Sequence, residues 1–150
     1  MILLDTCVLS ELARPGPDAH VLAWFDAVDA SGLYLSVLTL GEIRRGAALL
    51  PRSKRRTRLE EWIEGLQHAF AERILPVDAG TALVWGDISA AAERRGRKPP
   101  AVDALIAAVA LQHDATLATR NHRDFRALGV RLMDPWQAGA GALAGPQGPT

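Results

Sequence analysis

The chain has 150 residues, of which 49% are hydrophobic, a length and composition that fit one domain with a substantial core. Its 17 basic and 17 acidic residues cancel, which excludes a general electrostatic attraction to nucleic acid or membrane but leaves local basic patches possible. A single cysteine, Cys7, excludes an internal disulfide. Together with the lack of an apolar signal segment or a run of membrane-spanning length, it favours a soluble cytoplasmic protein.

Short apolar strands alternate with amphipathic helices along the chain. The first strand, ILL, is apolar without alternation, which is typical of a strand buried on both faces of a parallel sheet. In chain order the predicted elements are a strand at 2–4, helices at 6–14 and 18–30, a strand at 33–36, helices at 37–50 and 53–74, a strand at 74–77, helices at 79–95 and 101–114, a strand at 115–119, a helix at 121–129 and a strand at 130–136. This alternation predicts an α/β fold with a central, mostly parallel sheet flanked by helices.

Four acidic residues fall near the carboxyl ends of predicted strands, where functional groups collect in such sheets. Asp5 ends the first strand, Glu42 lies early in the helix after the second, Asp103 begins the most apolar helix, and Asp124 follows the strand at 115–119. Carboxylates brought together repel one another, and a divalent cation such as Mg²⁺ or Mn²⁺ removes that cost. The pattern therefore indicates a candidate metal site.

Each acid also has an ordinary structural interpretation. The alternatives are a helix cap for Asp5, a pair with Arg45 or a solvent-facing position for Glu42, a favourable helix-dipole position for Asp103, and a pair with Arg120 or Arg123 for Asp124. Spacing alone leaves both interpretations open.

Four strings occur in a fixed order along the chain: LLDTCVLSEL (3–12), SVLTLGEIRRG (36–46), AVDALIAAVAL (101–111) and LATRNHRDFRALGVRLMDPW (117–136). Together they resemble the PIN-domain family, specifically the VapC-type and FitB-like toxins of bacterial toxin–antitoxin pairs. The resemblance predicts a PIN-like domain over residues 1–136, followed by a tail at 137–150 rich in Gly, Ala and Pro, which we expect to be disordered or loosely attached.

The resemblance implies a Mg²⁺-dependent endoribonuclease, with Mn²⁺ as a plausible substitute, in which metal-activated water hydrolyses RNA phosphodiester bonds. Carried over residue by residue, Asp5 and Asp103 resemble direct metal ligands and Glu42 the second acid. For the fourth catalytic and metal-binding position both Asn121 and Asp124 match, and Asp124 is favoured for its charge.

Three polar residues, Thr6, Thr119 and Asn121, are expected to support these acids through hydrogen bonds. Cys7 departs from the family pattern, in which asparagine is common, and is interpreted as a small buried apolar side chain. His122 lies inside the last string but is interpreted as a surface histidine.

Contacts to RNA are expected from basic residues near the catalytic strings, namely Arg45, Arg94, Arg95, Arg97 and Lys98. A second basic cluster at 52–58 is interpreted as a solvated helix face. The RNA target, whether transfer, ribosomal or messenger RNA, stays open.

The resemblance also implies a homodimer and an antitoxin with a DNA-binding N-terminal domain. The helices at 18–30 and 37–72 would form the surfaces for both, and an antitoxin arginine would enter among the carboxylates. The alternative function is a PIN-like binding subunit that acts within an antitoxin–DNA regulatory complex with weak or no catalysis.

Overall fold

The computed structural model describes residues 1–139, which form a five-stranded parallel sheet and seven α-helices. The strands are β1 (Ile2–Leu4), β2 (Leu33–Ser36), β3 (Ile74–Leu75), β4 (Thr116–Ala118) and β5 (Leu132–Met133). The helices are α1 (Thr6–Leu12), α2 (Ala19–Ala27), α3 (Val37–Leu49), α4 (Lys54–Ala69), α5 (Ala79–Arg94), α6 (Ala101–Gln112) and α7 (His122–Arg126). Of the predicted tail, residues 140–150 lie outside the described part, and the domain boundary at 136 stays a prediction.

The strand order is β3-β2-β1-β4-β5, and every pairing is parallel, which confirms the predicted α/β fold with its parallel sheet. The central strand β1 pairs with β2 on one side and with β4 on the other. The order reverses direction at β1, because the chain leaves it first towards β2 and later returns to its other edge. Ligands in open parallel sheets bind at such a point, beyond the carboxyl ends of the strands.

The core has two layers, one on each face of the sheet. Successive side chains of β1 point to opposite faces, so that Leu3 packs with α6 and α7 while Leu4 packs with α1 to α4. Both leucines are fully buried, which explains why this strand is apolar without alternation. No helix within residues 1–139 has the length and apolar character needed to cross a membrane.

Polar side chains cap the N-termini of five of the helices. Asp5, Asp18, Ser36, Ser53 and Asp78 each accept a hydrogen bond from a backbone N–H in the first turn of α1, α2, α3, α4 and α5 respectively. The cap predicted for Asp5 is therefore present in the structure, and the question is whether Asp5 has a second role.

The helix α5 packs against the core through Ile88 and Ala92. Leu83, on the same helix, is 74% exposed. Thr81 is buried and donates a hydrogen bond to Gln112 of α6 at 2.5 Å. Leu83 therefore leaves apolar surface on the outside of α5.

Candidate active site

Asp5 lies at the carboxyl end of β1 and is held on both of its oxygens. Oδ1 accepts the backbone N–H of Thr6 at 2.9 Å, and Oδ2 accepts the hydroxyl of Thr119 at 2.7 Å. Its own backbone N–H donates to the carbonyl of Ala118 at the end of β4. With only 7% of its surface exposed, Asp5 is a fixed carboxylate at the junction of the two central strands.

Glu42 approaches the same point from the second turn of α3. Its Oε1 accepts a hydrogen bond from the hydroxyl of Thr6 at 2.8 Å. Thr6 thus contacts two of the predicted acids, because its backbone N–H donates a hydrogen bond to Asp5 and its side-chain hydroxyl donates one to Glu42. A supporting role was predicted for Thr6, and this geometry shows how it connects β1 to α3.

Asp103 and Asp124 approach from the other side of the sheet, and the side-chain amide of Asn121 contacts both carboxylates. Asn121 Nδ2 donates to Asp124 Oδ2 at 3.1 Å and lies 3.4 Å from Asp103 Oδ2. The backbone N–H of Asn121 in turn donates to Thr119 Oγ1 at 3.0 Å. Asn121 therefore lies between the two acids as a hydrogen-bond donor, while Asp124 brings the fourth carboxylate.

The four carboxylates lie close enough to influence one another electrostatically. Burial, reinforced by the negative charges of Asp5, Glu42 and Asp124, raises the pKa of Asp103 to about 6. Repulsion of this kind is the expected result when several acids face one small volume without a cation. The structure thus brings together the four acids that were dispersed over 120 positions of sequence.

Carboxylate oxygens suit a hard divalent cation, and the four acids have the charge to hold one. Across residues 1–139, however, no three acidic, histidine or cysteine side chains are already close enough to enclose a metal ion. This spacing still fits Mg²⁺, which keeps several water ligands and commonly contacts only one or two carboxylates. The chemistry of the donor set therefore fits Mg²⁺.

Cys7 was interpreted as a small buried apolar side chain; it packs against the core, partly buried, and its thiol also contacts the polar network. Its Sγ lies 3.5 Å from Asp5 Oδ2 and accepts the backbone N–H of Arg120 at 3.5 Å. Burial, followed by the negative charge of Asp5, raises the pKa of the thiol to about 11. The thiol therefore stays protonated at neutral pH and is unsuited to act as a nucleophile.

His122 is partly exposed, and its Nε2 lies 2.9 Å from Asp134 Oδ2, so the histidine expected at the surface is also a paired residue. Sequence reasoning missed this pair because the two residues are twelve positions apart, and only the turn from α7 into β5 brings them together.

The predicted RNA contacts divide into two groups. Arg95 and Arg97 line an open pocket of about 750 Å³ together with residues of α7, whereas Arg45, Arg94 and Lys98 are exposed outside that lining. Sequence reasoning also missed Arg123 and Arg126, which line the same pocket. Their i, i+3 spacing within the last string was the available signal.

Comparison with known proteins agrees with this fold. The sequence pattern of the PIN domain matches residues 2–130. Toxin FitB of Neisseria gonorrhoeae is 42% identical over 137 residues, which cover 91% of this chain and 99% of FitB. The VapC ribonuclease Y4jK of Sinorhizobium fredii is 41% identical over 138 residues, with 91% and 99% covered.

A solved structure of FitAB bound to an IR36 DNA fragment contains a chain that superposes on this one with a TM-score of 0.86. The two are 42% identical, and the match covers 92% of this chain and 97% of that chain. The chain belongs to the PIN domain family. Within that family it groups with the FitB-like and VapC toxins, as the four strings predicted.

Proposed function

We propose that this chain is a Mg²⁺-dependent endoribonuclease that acts in the cytoplasm as the toxin of a toxin–antitoxin pair. The observation that carries the proposal is the convergence of four acids at the carboxyl edge of the parallel sheet, where burial and the charges of the other three raise the pKa of Asp103. Similar proteins named a toxin and a ribonuclease support the proposal.

In this proposal Asp5 and Asp103 would hold Mg²⁺, and Glu42 and Asp124 would lie beside it. When bound, the cation supplies positive charge for a phosphate under attack and lowers the pKa of nearby water. Glu42 and Asp124 would orient the attacking water by accepting its hydrogen bonds. No side chain is needed as a covalent nucleophile, in agreement with the raised pKa of the Cys7 thiol.

Thr119 would act as a positioning residue, because it donates to Asp5 Oδ2 and accepts the N–H of Asn121. We expect Thr119→Val, which keeps the shape of the side chain, to lower RNA cleavage by about 10- to 100-fold, as for partners that orient metal ligands. Initial rates at several Mg²⁺ concentrations measure the effect, which should lessen as Mg²⁺ rises. Thr116→Val, at a buried threonine three positions earlier that begins β4, is the matched control and should cleave like the wild type.

The proposed activity is tested with the purified chain, free of any partner, and matched single-stranded RNA and DNA oligonucleotides. We expect cleavage of RNA with Mg²⁺ or Mn²⁺, complete loss after chelation with EDTA, and recovery when excess metal is restored. Preferential cleavage of the DNA would contradict the ribonuclease function and would indicate a DNA-directed nuclease that uses the same chemistry.

A second candidate function is a binding subunit that acts mainly within an antitoxin–DNA complex. It is favoured by the similarity to the FitAB structure, which contains DNA. Failure to cleave RNA with any divalent cation, together with tight binding of a partner protein and its operator DNA, would support this candidate. Calorimetric titration with Mn²⁺ separates the two further, because the binding subunit need not bind metal.

Partners of the chain are proposed to be a second copy of itself and an antitoxin with a DNA-binding N-terminal domain. Much of the exposed apolar surface lies on or beside α5 and α6, at Val77, Leu83, Trp85, Val102 and Leu111. Three further exposed apolar residues, Leu22, Val37 and Leu49, lie on the helices at 18–30 and 37–72 that were expected to form the interface. A mass of one chain by light scattering, unchanged with concentration, would remove the homodimer from the proposal.

A further inference from the structure

A pocket with a strongly basic lining lies on the side of α7 away from the carboxylates. It has a volume of about 750 Å³ and is lined by Arg95, Arg97, His122, Arg123, Arg126 and Ala127. Four of these six residues are arginines, and none of the six is acidic. On a chain whose net charge is zero, this is a local concentration of positive charge.

The segment that forms α7 carries residues of the carboxylate site on one side and arginines of the basic pocket on the other, within little more than one turn. Asn121 and Asp124, three positions apart, are hydrogen-bonded to each other on the carboxylate side. Arg123 and Arg126, also three positions apart, line the basic pocket. Phe125 is completely buried and fixes the helix against the core. One short helix, about 10 Å across with its side chains, thus carries residues of both sites.

The opposite wall of the pocket comes from the loop between α5 and α6. Arg95 Nη2 donates to the carbonyl of Ala127 at 2.6 Å and ties this loop to the end of α7. Arg97 follows in the same loop, which continues into α6 and reaches Asp103 in its first turn. Both walls of the pocket thus belong to segments that also carry a carboxylate of the candidate active site.

Arginines gathered in this way repel one another unless an anion lies between them, and the planar guanidinium matches the oxygens of a phosphate. The neighbouring carboxylates have the opposite effect, because they repel a polyanionic strand. A neutral protein that cuts RNA at an acidic site therefore needs a local source of affinity beside that site. Grooves that bind single strands supply it by following the backbone with positive charge.

We propose that the basic pocket binds a backbone phosphate of the RNA strand adjacent to the phosphate that is presented to the carboxylates. The inference rests on the proposed ribonuclease function and deepens it, since it specifies the path of the substrate over α7. The pocket then sets the register of the strand and contributes binding energy that is independent of base sequence.

The test measures binding separately from cleavage. In an Asp103→Asn background, the affinity for a fluorescent single-stranded RNA is measured by anisotropy over a series of salt concentrations. We expect Arg123→Ala/Arg126→Ala to weaken binding about tenfold and to reduce the slope of log affinity against log salt by about 1. Both arginines are exposed, so the melting temperature should be unchanged.

In the cleavage-competent protein the same double variant should raise KM with little change in kcat, the mark of lost substrate binding rather than lost chemistry. Arg123→Lys/Arg126→Lys should restore most of the salt slope because it keeps the charge. Arg52→Ala/Arg55→Ala, which removes two exposed arginines outside the pocket, should bind and cleave like the wild type.

The outcomes distinguish this inference from the proposed function. If the wild type cleaves RNA but the alanine double variant binds RNA with unchanged affinity and salt slope, the pocket is not a phosphate subsite and the ribonuclease stands. If RNA binding weakens as expected although no cleavage is found with any metal, the phosphate subsite is supported and the proposed ribonuclease function is refuted. Loss of operator DNA or antitoxin binding with unchanged RNA binding would assign the pocket to the partner complex and overturn the inference.

Discussion

Replacing Asp103 with asparagine is expected to lower RNA cleavage by more than about a hundredfold. Loss of a group that merely orients a metal ligand costs 10- to 100-fold, and Asp103 is proposed to contact the cation itself. Asp5→Asn should have an effect of similar size, because it removes the other proposed ligand. Single-turnover cleavage of a defined RNA at saturating Mg²⁺ measures the loss. Asp26→Asn, at an exposed position of α2, is the matched control and should cleave normally.

Cleavage by Asp5→Asn and Asp103→Asn at the wild-type rate would remove both residues from the active site. The same assay separates the two residues proposed for the fourth position. If Asp124 supplies the fourth carboxylate, Asp124→Asn should be impaired as severely as Asp103→Asn. Asn121→Ala should then show the smaller loss of a residue that orients its neighbours.

Asp103→Asn, which is expected to lower activity so strongly, is also expected to stabilise the metal-free protein. The pKa of Asp103 rises from its ordinary value of 3.8 to about 6 because of burial and the three neighbouring negative charges. The folded state thus binds a proton that the unfolded chain has released, so this contribution to stability is complete below pH 3.8 and is lost as pH rises through about 6. At pH 7.5 the wild type bears the full cost of the charged carboxylate.

We expect Asp103→Asn to raise the free energy of unfolding at pH 7.5 by about 1 to 2 kcal/mol, which is less than the shift in pKa alone would give because the side chain is partly exposed. Urea unfolding in EDTA at several pH values between 4 and 8 measures it. The fall in stability of the wild type across this range should be diminished in the variant. Added Mg²⁺ should stabilise the wild type and leave the variant nearly unchanged.

A variant that is less stable than the wild type, with the same dependence on pH, would show that the carboxylates are not coupled. Higher stability combined with lost activity is the result expected of a functional site, in which like charges are held together for a ligand rather than for the fold.

The sequence by itself determined most of the elements and the position of Asp5, the first of the proposed ligands. Strand 33–36 was predicted with its observed bounds, and the cap considered for Asp5 is present, because apolar runs and capping residues act over a few neighbouring positions. The family was also recognisable, because its four strings are local. Asp5 followed from a strand that is buried on both faces and ends in a carboxylate.

Only the tertiary structure decided how the dispersed residues meet. The amide of Asn121 lies between Asp103 and Asp124, His122 pairs with Asp134, and Leu83 faces outward while Thr81 faces inward. None of these could be inferred from spacing, since each depends on the angle at which one helix packs against another. The division of α7 into an acidic and a basic side has the same origin, because burial of Phe125 sets the rotation of the helix and so determines which residues reach the carboxylates.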